Sequence, residues 1–272
     1  MDCADTPSTT ARGESGEVHS GGMFEPMRAL LESHADEVAA VIVEPLVQCA
    51  GNMRMYHPVY LRLLREACDA LGIHLIADEI AVGMGRTGTT FACEQADVRP
   101  DFLCLSKGLT GGWLPMSVVL TTEPVYAAFY DDYVKRTAFL HSHSYTGNPL
   151  ACAAANATLD LLERPATRAD TAAPAAHRAR GAAPLAAHPH VAEVRQTGLI
   201  LALEFVRSKA TREPFPWVER RGLRAYEHAL ARGALLRPLA NVIYFLPPYV
   251  IEPHEIDFLV EVATQGLEVA CA

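Results

Sequence analysis

The chain has 272 residues, of which 50% are apolar, so it is long enough for one large or two modest domains with a substantial core. Its net charge of -9 and its lack of a stripe rich in Lys and Arg argue against a nucleic-acid partner or an anionic membrane surface. No apolar stretch is long enough to span a bilayer, so the composition predicts a soluble globular protein.

Cysteine usage and the first twenty residues favour a cytoplasmic location. The seven cysteines are widely spaced and form no C-x-x-C pair, which is typical of reduced thiols rather than of a disulfide framework or a zinc site. Residues 1–20 contain acids and no apolar core segment, so they resemble neither a signal peptide nor a transit peptide.

Helical and strand patterns alternate through residues 1–163. Helical spacing at 23–31 precedes an apolar run at 39–47 that predicts a buried parallel strand. Later patterns predict helices at 60–71, 123–130 and 150–163, and strands at 74–80, 102–106 and 116–122. Because helices alternate with strands, we expect an α/β fold: a large domain at 1–163 whose mostly parallel sheet is covered by helices on both faces.

A second domain is predicted at residues 164–272. Residues 164–190 are rich in Ala and Arg and are interrupted by four prolines, so any helix there must be short or broken. Beyond them the patterns predict strands at 199–206, 234–236 and 242–246, with helices at 218–232 and from 253 onward. This second unit is therefore expected to be a smaller α+β domain.

Two predicted strands end in side chains with complementary chemistry. The run HLIADEI ends with Asp78 and Glu79, and the run FLCLSK ends with Lys107. Ligands bind at the carboxyl ends of parallel strands, and a carboxylate beside a lysine suits pyridoxal phosphate: the acid keeps the pyridine nitrogen protonated and the lysine forms the Schiff base. From spacing alone, a turn-capping Asp78 and a loop Lys107 are equally acceptable.

The residues around this pair resemble one enzyme family. The run IADEIAVGMGRTGTTFACEQADVRPDFLCLSKGLTGGWLP resembles the cofactor region of class III aminotransferases, which have the fold-type I pyridoxal-phosphate fold. The resemblance implies that Asp78 binds the pyridinium nitrogen, that Lys107 is the Schiff-base lysine and that Ile80 packs against the ring. The same run spells G-x-G-x-x-G at 83–88, but the threonines that follow are poor helix formers, so a dinucleotide site is the weakest alternative.

The segment HSHSYTGNP at 141–149 precedes a helical run, which favours a phosphate site near a helix start. A metal site at His141 and His143 is a weaker alternative, because no cysteine or acid accompanies them at ligand spacing. The family resemblance implies that Ser144 binds the cofactor phosphate across the interface of a homodimer. It also implies that Ser142 and His143 line the ligand site.

Two further segments resemble the class III members that act in biotin synthesis. They are MRMYHP at 53–58 and LLRPLANVIYFLPPYVI at 235–251. The resemblance implies that Arg237 binds the carboxylate of 8-amino-7-oxononanoate, that Tyr244 lies beside the substrate and that S-adenosylmethionine is the amino donor. A guanidinium can hold a carboxylate through two hydrogen bonds. Without the resemblance, the favoured interpretation of Arg237 is a surface arginine after a strand, and that of Tyr244 is a core aromatic on an alternating strand.

The resemblance begins at about residue 23, partway through the large domain of the family. We therefore expect that the portion supplying a phosphate-binding turn and a ring-stacking aromatic is missing. Two other functions remain open. One is a class III transaminase acting on ornithine, 4-aminobutyrate or a diamine, and the other is an inactive fragment or interaction subunit of such an enzyme.

Overall fold

A computed structural model describes residues 16–142, 144–164 and 172–272 of the chain. The helices are α1 (Gly16–Gly22), α2 (Glu25–Ser33), α3 (Pro58–Leu71), α4 (Glu123–Ala127), α5 (Pro149–Leu162), α6 (Ala172–Ala182), α7 (Arg221–Ala231) and α8 (Pro253–Cys271). The strands are β1 (Ala40–Val43), β2 (Val47–Gln48), β3 (Arg54–Met55), β4 (His74–Asp78), β5 (Phe102–Leu105), β6 (Val118–Thr121), β7 (Val191–Thr197), β8 (Ile200–Ser208), β9 (Glu213–Pro214), β10 (Arg237–Leu239) and β11 (Val242–Phe245).

The first sheet has the strand order β1-β4-β5-β6 and supports the predicted strand ends. β1, β4 and β5 are parallel, with Val43 opposite Ala77 and Asp78 opposite Cys104, so their carboxyl ends lie at one edge. Helices α2 and α3 pack on one face, where Phe24, Leu61 and Leu75 are fully buried. Such burial contributes about 1.5–3 kcal/mol for each large apolar side chain. The expected α/β fold is confirmed.

Both outer strands of this sheet have an open edge. Within the described residues, no strand pairs with the far side of β1 or of β6. These strands also have side chains on an uncovered face of the sheet, since Ile42 is 65% exposed and Val119 is 60% exposed.

Helix α3 begins and ends where the sequence predicts. Pro58 is its first residue, where a missing N–H costs nothing, and His57 Nδ1 accepts a hydrogen bond from the Val59 N–H at 3.2 Å. Gly72 ends the helix at φ +68°, a left-handed conformation that glycine adopts without strain. Two local signals therefore fix the helix that covers β4.

The second sheet is antiparallel, with the order β10-β11-β8-β7, and β9 pairs with β8. Helices α6, α7 and α8 pack on it around a core that includes Leu203, Phe205 and Phe245, all essentially buried. The first sheet thus lies within residues 40–121 and the second within residues 191–245. The division at residues 163 and 164 stays a prediction.

Two predicted strands differ from the structure, whereas the mostly parallel sheet and the short helix of the proline-rich stretch agree with it. The strand predicted at 39–47 ends at Val43, because Leu46 adopts φ +65° and turns the chain. The strand predicted at 234–236 lies three residues later, at β10. β6 pairs antiparallel with β5, but β1, β4 and β5 are parallel, so the first sheet is mostly parallel as predicted. α6 is an 11-residue helix that ends at Ala182, before Pro184, so it is short as expected for this proline-rich stretch.

None of the helices in the described ranges combines the length and the hydropathy needed to cross a membrane.

Asp101 joins α3 to the sheet and supplies a test of stability. Its carboxylate accepts hydrogen bonds from the Leu75 N–H and from Arg65 Nη1, each at 2.7 Å. Burial opposes its charge, but these two donors outweigh burial and lower the pKa of the carboxyl. We expect Asp101→Asn to lower the free energy of unfolding by about 1–3 kcal/mol at pH 7, measured by urea denaturation.

The pH dependence follows from that lowered pKa. The stabilisation by Asp101 is present above the ordinary pKa of 3.8 and is lost as pH falls through the folded-state value. The Asn variant should therefore lose less stability than the parent on acidification. Asp69→Asn is the matched control, because this exposed carboxylate also pairs with Arg65, at 2.8 Å. If Asp101→Asn and Asp69→Asn lowered the free energy of unfolding equally, the stabilising role assigned to Asp101 would be contradicted.

Candidate active site

Three charged side chains follow adjacent parallel strands at one edge of the first sheet. Glu44 directly follows β1, Asp78 ends β4 and Lys107 lies two residues beyond β5. The three groups interact electrostatically: burial and then Asp78 raise the pKa of Glu44, whereas Lys107 lowers it. The edge therefore combines two acids and one amine.

Lys107 has an unusual backbone conformation. Its φ of +41° lies in the left-handed region, which costs energy in any residue with a Cβ. The turn 107–110 is held by two hydrogen bonds, from Ser106 Oγ to Met116 O at 2.7 Å and from Thr110 Oγ1 to Leu114 O at 2.6 Å. The side chain of Lys107 is exposed. The residue with the strained backbone, Lys107, therefore also carries an accessible amine.

Asp78 is half-buried and lines a cavity of about 730 Å³ beside β1. Its Oδ1 accepts a hydrogen bond from the N–H of Ile80 at 3.1 Å, which fixes the carboxylate at the strand end. Glu44, Arg54 and Tyr56 also line this cavity, whereas Lys107 does not. Asp78 therefore joins the strand-end cluster to an open cleft.

Glu44, Cys49 and Tyr56 belong to this edge, although the sequence analysis did not select them. Tyr56 Oη donates to the carbonyl oxygen of Glu44 at 2.7 Å, and burial raises the pKa of Tyr56. Burial, followed by the charge of Glu44, raises the pKa of Cys49 to about 12, so this thiol stays protonated at neutral pH. The rule that selected Asp78, a polar side chain at the end of a parallel strand, also applies to Glu44.

Glu79 holds the loop at 83–93 against β4. Its buried carboxylate accepts hydrogen bonds from the N–H groups of Ala92 and Cys93 at 2.9 and 2.8 Å, and burial raises its pKa. A Cβ at Gly83 would lie 2.8 Å from the carbonyl oxygen of Glu79, so only glycine fits there. Residues 83–88 form turns and no helix follows directly, which agrees with setting the dinucleotide pattern aside.

Ser142 and Ser144 lie on an exposed stretch that leads into α5. α5 packs on the turn of Lys107, and a Cβ at Gly111 would lie 3.4 Å from Thr158 Oγ1. No hydrogen bond joins either serine to Asp78 or Lys107. His143, also predicted to line the ligand site, lies outside the described residues.

Arg237 and Tyr244 are cross-strand neighbours in the second sheet. The antiparallel pairing of β10 and β11 sets them directly opposite each other, and Tyr244 also faces Ala202 of β8. Arg237 is exposed and Tyr244 is half-buried. Neither residue lines the cavity beside β1. The structure therefore pairs these two predicted substrate residues on a sheet other than that of Asp78.

The family model for class III aminotransferases matches residues 5–267, so the chain belongs to this family. It is similar to two enzymes named adenosylmethionine-8-amino-7-oxononanoate aminotransferase. The relative from Geobacter sulfurreducens is 46% identical over 89% of this chain and 52% of its own length, and that from Helicobacter pylori is 45% identical over 85% and 52%. The chain thus spans about half the length of these relatives.

Solved structures agree with the fold. The enzyme of that name from Methanocaldococcus jannaschii matches with a TM-score of 0.88 at 35% identity, over 90% of this chain and 57% of that one. An (S)-enantioselective omega-transaminase from Thermomicrobium roseum matches with a TM-score of 0.88 at 31% identity, over 96% and 58%. The described architecture is that of the fold-type I transaminases.

Proposed function

We propose that this chain carries the pyridoxal-phosphate site of an aminotransferase that moves an amino group from S-adenosylmethionine to 8-amino-7-oxononanoate. The observation that carries the proposal is the cluster of Glu44, Asp78 and Lys107 at adjacent strand ends. The names of the relatives that are 45–46% identical favour this pair of substrates over ornithine, 4-aminobutyrate or a diamine.

The residues at this edge fit the cofactor. Asp78 is an anchored carboxylate that can hold a protonated ring nitrogen, and Lys107 is an exposed amine that can bind an aldehyde. When bound, the cofactor supplies a ring that withdraws electrons from the carbon bearing the amino group. Ile80 would pack against this ring, while Ser144 and His143 would contact the phosphate end.

Lys107 Nζ is the proposed proton carrier. A primary amine placed beside the reacting carbon can accept its proton and return it to the next carbon. Glu44 and Asp78 keep negative charge near this amine, and Lys107 in turn lowers the pKa of Glu44. The chain therefore supplies both the anchoring acid and the base.

Arg237 is proposed to bind the carboxylate of the acceptor, with Ser142 and Tyr244 beside the substrate. Arg237 is exposed, and no ion pair with another described residue occupies its guanidinium. We expect Arg237→Met to raise the KM for 8-amino-7-oxononanoate by about 10–100-fold, because a charged hydrogen-bonding partner is lost. Arg224→Met, an exposed change on α7, is the control and should leave this KM unchanged.

A second measurement distinguishes a loss of carboxylate binding from a general loss of active-site structure. It is the half-reaction with an amine that lacks a carboxylate. In the Arg237→Met variant its rate should equal that of the parent. A parallel fall in both half-reactions would contradict the role of Arg237.

A homodimer in the cytoplasm is the proposed assembly. Apolar side chains are exposed along residues 126–145: Tyr133 is 96% exposed and Leu140 is 93% exposed. Exposed apolar side chains that are concentrated in one segment are typical of an interface. Ser144 lies on the same stretch and would reach the cofactor of the partner subunit. The free cysteines among the described residues fit a reducing compartment.

The test measures cofactor binding and amino transfer on two preparations. One is the chain alone, and the other is the chain mixed with a polypeptide that supplies the rest of a relative's length. We expect stoichiometric binding of pyridoxal phosphate by equilibrium dialysis in at least the second preparation, with S-adenosylmethionine as the preferred donor. Absence of binding in both would overturn the site. If the cofactor binds but ornithine or 4-aminobutyrate is the preferred amino donor, only the proposed pair of substrates would be wrong.

A further inference from the structure

Two arginines interact electrostatically where the loop at 83–88 meets the second sheet. Arg178, on α6, is 1% exposed, and its Nη2 donates to the carbonyl oxygen of Gly198 at 3.2 Å. Its Nε and Nη1 are buried and have no hydrogen-bonding partner. Buried polar groups are paired in the great majority of cases, so two open donors on one guanidinium require an explanation.

Arg86 brings a second positive charge to the same junction. Its Nη1 donates to the carbonyl oxygen of Pro247 at 2.5 Å, and its guanidinium lies 4.6 Å from the ring centre of Tyr249. These contacts orient Arg86 but leave its charge unneutralised. No carboxylate in the described part of the chain forms an ion pair with Arg86 or Arg178.

Neutral polar atoms without partners lie beside the arginines. Thr87 Oγ1 and Gln196 Oε1 are both buried and unpaired. Gln196 Nε2 donates to the same Gly198 carbonyl that Arg178 contacts, at 3.0 Å. A Cβ at Gly198 would lie 2.4 Å from the carbonyl carbon of Thr87, and the Leu199 N–H donates to Arg86 O at 3.0 Å. The three residues that carry the unpaired atoms, Arg178, Thr87 and Gln196, therefore all contact Gly198. Of these atoms, Gln196 Oε1 is an acceptor and cannot donate to an anion.

The positive charges of Arg178 and Arg86 repel each other where burial excludes most of the solvent. Burial, and then the charge of Arg86, lowers the pKa of Arg178 to about 10, and burial lowers the pKa of Arg86. Both groups nevertheless stay protonated at neutral pH. A water molecule could satisfy the hydrogen bonds but would leave both charges uncompensated.

We propose that Arg178, Arg86 and Thr87 form a binding site for a small inorganic anion, such as chloride, that holds the loop at 83–88 against the second sheet. Arg178 Nε and Nη1 and the Thr87 hydroxyl are the available donors. The burial of Arg178 favours a compact monovalent ion over a phosphate ester or an organic carboxylate, which would need an open path to solvent.

The test is the halide dependence of thermal unfolding at constant ionic strength. A ligand that binds only the folded state stabilises it, so chloride or bromide at about 100 times its dissociation constant should raise the Tm by roughly 5 °C over sodium gluconate. Arg178→Met should remove this difference. Arg180→Met, an exposed change on the same helix, should keep it. Equal Tm values in chloride and gluconate would overturn the proposal, as would a halide response that survives Arg178→Met.

Thr87→Val provides a second variant in case Arg178→Met does not fold. It replaces a buried unpaired hydroxyl by a methyl of similar size, so the fold should persist while the halide concentration giving half the effect rises several-fold. Crystals of the parent grown in bromide should show anomalous density within hydrogen-bonding distance of Arg178 Nη1. Density for water alone at that position would overturn the proposal whatever the variants do.

Discussion

Replacing Lys107 with alanine should lower the turnover of amino transfer by at least about 10²–10⁴-fold, because the proposed proton carrier is removed. The change should also abolish the visible absorbance of lysine-bound cofactor. Alanine has the same Cβ as lysine, so the backbone strain at φ +41° is unchanged. The free energy of unfolding should accordingly move by less than about 0.5 kcal/mol. Stopped-flow half-reactions and urea denaturation measure the two quantities.

The composition of the chain makes this experiment selective. The sequence contains only three lysines, at positions 107, 135 and 209. Lys135 pairs with Asp131 at 2.8 Å on the surface, so Lys135→Ala is a matched control that should retain full turnover and full absorbance. If borohydride reduction still attached the cofactor to the chain in the Lys107→Ala variant, the assignment of the amine would be wrong.

Arg195→Met should lower the free energy of unfolding by about 3–5 kcal/mol, the cost of breaking a buried ion pair. Arg195 is 3% exposed and forms ion pairs with Glu193, at 3.3 Å, and with Glu204. Its Nη2 also donates to the carbonyl oxygen of Asn52 at 2.7 Å. Asn52 has φ +62°, so the arginine additionally holds a strained turn between β2 and β3. Denaturation by urea measures the loss.

Arg207→Met is the matched control for Arg195. Arg207 also bridges two acids, Glu213 at 3.3 Å and Glu219 at 3.2 Å, but its side chain is 49% exposed. Its loss should cost about 1 kcal/mol or less. A double-mutant cycle with Glu204→Gln should return a coupling energy of about 0.5–3 kcal/mol for the buried pair. Equal costs for the two single variants would contradict a special role for Arg195.

Local signals made part of the fold predictable. Pro58 and Gly72 marked the ends of α3, and Pro253 marked the start of α8, because proline and glycine act through backbone geometry that does not depend on distant contacts. The end of β1 was not predictable in this way. Leu46 has no intrinsic preference for φ +65°, and its conformation is set by burial of its side chain in the tertiary structure.

The candidate site was predictable to the extent that it follows strand ends. Asp78 was predicted as a site residue because it ends β4, and Lys107 because it closely follows β5. The same rule would have found Glu44 had β1 been ended at Val43. Arg178 gave no such signal, since nothing distinguishes a buried arginine from its exposed neighbours in a stretch rich in Ala and Arg. Its role depends on contacts with residues far away in the sequence.

The open edges of β1 and β6 also affect how readily the protein aggregates in solution. β1 reads AVIV and β6 reads VVLT, so neither strand carries a charge or a proline that would discourage another strand from adding to it. Concentrated samples should therefore scatter light increasingly with time, through strand addition rather than through unfolding. A preparation in which another polypeptide covers these edges should stay monodisperse.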